Sequence, residues 1–250
     1  MGPTLPQRHK RPLPGSSLIG ASGLCRTHVR PSVCLVDFQS TLFAPADPCA
    51  DPSVDTSDAR AHAALAPERT VLGAGAWIDV QRDWLAGADE AFEAMVGQVP
   101  WRAERRQMYD RIVDVPRLVH TYMLGEPLPH PGLEEARDAL SAHYRPELGE
   151  PFVSAGCCYY RDGKDSVAWH GDTIGRGKSA DTMVAIVSLG DPRKLALRPR
   201  GGGDSVGVTL GHGDLVVMGG SCQRTWEHAI PKVASAGPRI SVQFRPLNVF

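Results

Sequence analysis

The stretch FVSAGCCYYRDGKDSVAWHGD, Phe152–Asp172, decides how the rest of the chain is read. Two runs rich in β-branched, aromatic and small apolar residues flank RDGKD, whose Asp and Gly supply turn chemistry. The second run, SVAWH, ends on a histidine followed two residues later by an aspartate. Side chains alternate faces in an extended segment, so His170 and Asp172 point to one side while Trp169 and Gly171 point away. Two potential metal ligands then share one face at a strand end. Taken alone, an HxD pair is common, and a strand-end histidine bonded to a nearby carboxylate reads as well.

Outward from this hairpin the same pattern recurs. RIVDV, RLVHTYM, TMVAIVSL, LALRP, VGVTL, DLVVM and RISVQF are short runs separated by turns such as RPRGGGDS and LGHGD. Upstream, from AGAWIDV onward, Leu85, Ala88, Phe92, Met95 and Val96 recur at helical spacing. PGLEEARDALSAHY opens on Pro131 and Gly132 and places Leu133, Ala136, Leu140 and Tyr144 on one helical face. Many short strands behind two front helices predict a mainly β (α+β) domain, a sandwich or barrel with flanking N-terminal helices.

The bulk properties agree with one domain and a tail. A chain of 250 residues with 42% apolar content can bury a substantial core. A formal net charge of -1 confines any affinity for nucleic acid to a local patch. Cys25, Cys34, Cys49, Cys157, Cys158 and Cys222 show no CxxC spacing in a chain too large to need disulfide staples, which predicts reduced thiols and a cytoplasmic, monomeric protein. No apolar run approaches the roughly 20 residues of a membrane-spanning helix, and no signal peptide is evident. Residues 1–66 are rich in Pro, Ser, Ala and Asp and read as a flexible tail, with the domain over 67–250. The tail begins basic, with Arg8, Lys10, Arg11, Arg26 and Arg30 before the first acid, Asp37. A solvated tail is preferred there to a nucleic-acid-touching arm.

Two further segments complete a chemical constellation. RTWEHAIPK supplies His228, and PRISVQFRP supplies Arg239 and Arg245, six residues apart on one strand face. Two histidines and a carboxylate on a β scaffold form the facial set that leaves positions open on Fe(II). Inward-facing arginines are costly as pure structure. A dianionic cosubstrate relieves that cost, because a guanidinium binds a carboxylate through two parallel charge-assisted hydrogen bonds. A non-catalytic β-barrel with a structural zinc is the rival reading; structural zinc favours four ligands including Cys and leaves the arginines without a role.

The strings YYRDGKDSVAWHGD, GHGDLVVMGGSCQRTWEHAIPK and PRISVQFR, with VPRL upstream, resemble the AlkB family of Fe(II)- and 2-oxoglutarate-dependent dioxygenases, of the bacterial alkylation-repair type. The resemblance covers roughly residues 70–246. It implies a double-stranded β-helix (jelly roll), with His170, Asp172 and His228 as iron ligands. It also implies that Arg239 pairs with the distal carboxylate of 2-oxoglutarate, that Tyr160 hydrogen-bonds the cosubstrate, and that Arg245 lies near its other end or the substrate. The implied reaction uses Fe(II), 2-oxoglutarate and O2 to hydroxylate an N-alkyl carbon of a base in alkylated DNA or RNA, releasing free base and aldehyde. The same chemistry on a protein or small molecule stays open. Cys158 and Ser241 stand where many members carry Asn, which weakens hydrogen bonding to 2-oxoglutarate. Ile174 stands where some members use an acid to contact the base, so base selectivity does not carry over.

Other conspicuous residues have plainer readings. His120 and His143 read as packed or solvated, His212 as a turn histidine, and Cys157 and Cys158 as inert core thiols. Arg102, Arg105, Arg106 and Arg111 form a basic cluster that is either a solvated face or a phosphate contact. Trp101, Tyr109 and Tyr122 are candidates to stack on an extruded base, and could equally be core aromatics. Within the tail, Gln39, Leu42 and Phe43 of QSTLF match the QxxLF pattern by which bacterial replication and repair proteins dock to the sliding clamp; a latch folding back on the domain is the alternative.

Overall fold

A computed structural model describes residues 62–108 and 111–249, with the side chains of 106–114 outside that description. Gln39, Leu42, Phe43 and Tyr109 fall outside it as well. Residues 62–66, assigned to the tail from sequence, lie against the domain. Ala63 N–H donates to the Trp84 carbonyl, Trp84 Nε1 donates to the Ala63 carbonyl at 2.9 Å, and Gln81 Nε2 donates to the Ala64 carbonyl at 2.9 Å.

The chain runs β1 (Glu68–Gly73), β2 (Ala76–Gln81), α1 (Ala88–Gln98), β3 (Arg102–Met108), β4 (Arg111–Tyr122), α2 (Pro131–Leu148), β5 (Ser154–Tyr160) and β6 (Val167–His170). It continues β7 (Val184–Gly190), β8 (Arg193–Pro199), β9 (Val206–Leu210), β10 (Leu215–Gly220), a one-turn α3 (Cys222–Thr225), β11 (Trp226–Ile230) and β12 (Arg239–Arg245). The strands form two antiparallel sheets, an eight-stranded one ordered β1-β2-β10-β7-β12-β5-β4-β3 and a four-stranded one ordered β6-β11-β8-β9. This is the expected jelly roll with its helices at the front.

Alternation along the strands divides the interior in two. On the large sheet, Ala155, Cys157, Ala185, Val187, Leu189, Ile240, Val242 and Phe244 pack against Leu133, Ala136, Leu140 and Tyr144 of α2 and Ala91 and Met95 of α1. On the other face, Cys158, Tyr160, Val184, Ile186, Val216 and Met218 meet Leu195, Leu197, Trp226 and Ile230 of the small sheet. Full burial of each aliphatic side chain contributes roughly 1.5–3 kcal/mol. Helix α2 starts where His130 accepts a hydrogen bond from Gly132 N–H and Pro131 occupies its first turn, and it ends on Gly149 at φ 81°.

Some elements depart from expectation. RIVDV and RLVHTYM form the single strand β4, continuous through Pro116. Pro116 is tolerated because the β3–β4 register slips there, between Ala103↔Leu118 and Arg105↔Asp114, leaving no ladder partner to satisfy. The basic run RAERRQM is the edge strand β3. The described cysteines, Cys157, Cys158 and Cys222, are free and buried.

Candidate metal centre and cosubstrate pocket

Strand pairing, rather than proximity in sequence, builds the centre. β11 pairs with β6 so that His228 lies directly opposite His170, with ring centroids 4.2 Å apart. Asp172 follows β6 and completes a set whose ligand atoms all lie within 4.8 Å of one another. His170 Nδ1 sits 2.8 Å from the Ala168 carbonyl, which only accepts, so the ring donates from Nδ1 and keeps Nε2 as a lone-pair donor. Burial, with His170 and Arg245 opposing protonation, pushes His228 down to about 3 against the pull of Asp172. The ring is therefore neutral and able to ligate at neutral pH.

Asp172 is buried and held from two sides. Its N–H donates to Gln223 Oε1 at 2.9 Å, and its Oδ2 accepts from Arg245 Nε at 2.8 Å. Burial alone would raise its carboxyl, but Arg245 and the two histidines pull it down to about 2. Oδ1 faces His170 Nε2 at 3.8 Å. Gly171 between the ligands is obligatory, since a Cβ there would meet the Gln223 carbonyl at 2.5 Å.

The cosubstrate residues lie on the cleft face of the large sheet. Arg239 pairs in register with Tyr160, and Ser241 with Cys158. Arg239 is 1% exposed, donates from Nε to Ser188 Oγ at 3.0 Å, and stands 5.2 Å from the Tyr160 ring. Its Nη1 is buried with no hydrogen-bond partner, and among the described residues no carboxylate pairs with it. Burial lowers the proton affinity of this guanidinium, partly offset by Tyr160, and pushes the Tyr160 phenol up to about 12. A desolvated cation with an unmet donor fits the carboxylate end of 2-oxoglutarate, as the His–Asp–His set fits Fe(II). Arg245, expected near the other end of the cosubstrate or the substrate, donates from Nε to Asp172.

The substrate candidates are placed differently. Trp101 donates Nε1 to the Met95 carbonyl at 3.1 Å and packs on Tyr159, while Tyr122 stacks edge-on with His120. Both pack into the helix-side core, the face of the large sheet away from the histidines. Arg102 and Arg105 are exposed on the edge strand β3. His212 joins the end of β7 to α1, accepting from Gly190 N–H and lying 3.1 Å from Asp89. Sequence reading assigned no role to Gln223, Ser188, Arg117 or Gln243, although Arg117 lies in the VPRL segment and Gln243 in the alternation 239, 241, 243, 245.

The sequence profile of the 2OG-Fe(II) oxygenase superfamily matches residues 85–245, more than half of the chain. The chain belongs to the 2OG-Fe(II) oxygenase superfamily. The family's description names Fe(II) and 2-oxoglutarate, the groups that the His–Asp–His set and the buried Arg239 fit. Among relatives, it is 32% identical over 181 residues to "Alpha-ketoglutarate-dependent dioxygenase alkB homolog 3" of Bos taurus, covering 64% of this chain and 62% of that one. The human protein of the same description is 31% identical over 63% and 61% of the two chains. "DNA oxidative demethylase ALKBH2" of Arabidopsis thaliana is 33% identical over 46% and 43%. The chain thus spans less than two thirds of the length of these relatives. A solved structure described as OsALKBH1 superposes with a TM-score of 0.51 at 14% identity, covering 72% of this chain and 100% of that one, and shares the fold. No helix among the described residues is long and apolar enough to cross a membrane.

Proposed function

We propose that this dioxygenase removes N-alkyl groups from nucleic-acid bases by oxidative dealkylation, as in repair of alkylated DNA. In this reading His170, Asp172 and His228 hold Fe(II), and Arg239 takes the distal carboxylate of 2-oxoglutarate beside Tyr160 and Ser241. The observation that carries it is the juxtaposition of the His–Asp–His set with a buried guanidinium whose Nη1 has no partner. The names of the relatives support the substrate class, since one is described as a DNA oxidative demethylase. The exposed Arg102 and Arg105 offer cations for a phosphate backbone.

Bound iron, with 2-oxoglutarate and O2, supplies the oxidising power for hydroxylating an N-alkyl carbon. The chain's own part is positioning. His170 is fixed in one tautomer by Ala168, and Asp172 is kept ionised and oriented by Arg245 and Gln223. The dry floor around Arg239 strengthens its hold on a carboxylate.

Incubation of the chain with Fe(II), 2-oxoglutarate and N-methylated single-stranded and duplex DNA or RNA, read by mass spectrometry, tests this. A mass loss of one CH2 per base, the methyl being replaced by hydrogen, with release of formaldehyde is expected. Cosubstrate turnover without change in any oligonucleotide would discard the nucleic-acid reading and favour a protein or small-molecule substrate. Delivery by a sliding clamp through Gln39, Leu42 and Phe43 is a separate part of the proposal. A peptide of residues 36–46 should bind a bacterial clamp and lose binding on Leu42→Ala with Phe43→Ala; no binding by peptide or full chain would dismiss it.

A further inference from the structure

An amide side chain lies beside Cys158 and Ser241, which pair in register on the cleft face. Gln243, on the same face of β12, donates from Nε2 to Ser241 Oγ at 3.0 Å and to Cys158 Sγ at 3.4 Å. Its Oε1 accepts from Arg245 Nη2 at 2.7 Å. Chemistry fixes this orientation, because a guanidinium has no acceptor and the amide oxygen must face it. Arg245 then gives Nε to Asp172 Oδ2. On the far side, Cys158 Sγ also accepts from Arg117 Nε at 3.3 Å. A continuous chain of hydrogen bonds therefore runs from β4 through Cys158, Gln243 and Arg245 to a candidate iron ligand.

The opposing strand is cut to fit this pair. Gly156, in the middle of β5, faces Gln243 in register and has no positive φ, so backbone freedom does not explain it. A Cβ there would collide with Arg245 Nη1 and press on Gln243 Oε1 at 3.4 Å. A strand-interior glycine sacrifices packing, and here the space is filled by the guanidinium.

We infer that Gln243 is a positioning residue of the metal centre. It holds Arg245 on Asp172 Oδ2 and leaves Oδ1 as the oxygen offered to the metal. The inference rests on the His170–Asp172–His228 reading and is tested by metal affinity rather than turnover. Partners that orient a ligating carboxylate typically change metal affinity by about 10–100-fold.

The test is anaerobic calorimetric titration of the full chain with Mn(II), alongside the melting temperature of the metal-free protein. Gln243→Leu should weaken Mn(II) binding about tenfold. Gly156→Ala should do the same by another route, displacing the mobile end of Arg245 rather than backbone, so it decides the matter if Gln243→Leu fails to fold. Gln243→Glu, which keeps an oxygen facing Arg245, should bind Mn(II) more tightly than Gln243→Leu. Wild-type Mn(II) affinity in the folded variants, whatever their melting temperatures, would overturn the inference and leave Gln243 a packing residue. Failure of the wild-type chain itself to bind Mn(II) would overturn the metal-centre reading and this inference with it.

Discussion

In the eight-stranded sheet both faces are covered, one by the helices and one by the small sheet, and its central strands β7, β10 and β12 are almost wholly buried. Among the described residues, the four-stranded sheet is covered on its inner face alone. Its outer face carries Trp169 with the Arg198 guanidinium 4.3 Å from the ring centroid and paired to Glu227 at 2.9 Å. The difference matches the two tasks of the centre. An anion anchor gains from a dry, low-dielectric wall, and Arg239 sits on the doubly covered sheet. A metal that meets incoming substrate needs an open side, and the side chain of His170, on the edge strand β6, is 39% exposed.

Substitutions can break or sharpen this contrast. The largest effect is expected at Asp172→Ala, which should reduce Fe(II)-dependent turnover to background while circular dichroism stays native; ordinary turnover would remove Asp172 from the centre. Next is Leu189→Ala, in the doubly covered sheet, which should cost about 2–5 kcal/mol in denaturant unfolding through the cavity it leaves. Arg239→Ala should raise the 2-oxoglutarate requirement about 100-fold, as loss of a charge-assisted pair predicts, and Arg239→Lys clearly less, because the charge survives without the fork. Equal damage from both would show that fork geometry is immaterial.

A smaller effect is expected from pH. His228 is held at about 3, below its ordinary value of 6.5, so the folded apoprotein binds fewer protons than the unfolded chain. Stability is full above pH 6.5 and is lost as pH falls toward 3. The melting temperature of apoprotein should therefore drop through this range, and less so in His228→Gln. Smallest is Arg198→Ala on the open face of the small sheet, where a surface pair is worth below about 1 kcal/mol. A larger loss would show that this face is also covered.

How much of this could be read in advance follows the same division. RISVQFR states its alternation openly, apolar toward the helices and polar toward the cleft, and the motif placed Arg239 and both histidines. Strands β1 and β3 were not legible because their residues are exposed or charged and receive no hydrophobic signature. β11 was not read as a strand because WEHAI alternates polar with apolar over too few residues. Tyr122 was left open between base-stacking and core because its facing depends on pairing with β5, a partner remote in sequence. Gln223 comes from a one-turn helix that touches Asp172 only after the sheets have closed.

The buried thiols bear on how long such a catalyst lasts. Oxidants attack thiols as thiolates. Burial pushes the Cys222 thiol up to about 12 and drives that of Cys157 higher still, so neither offers a thiolate at neutral pH. At these two positions sulfur provides packing volume without presenting a thiolate to oxidants.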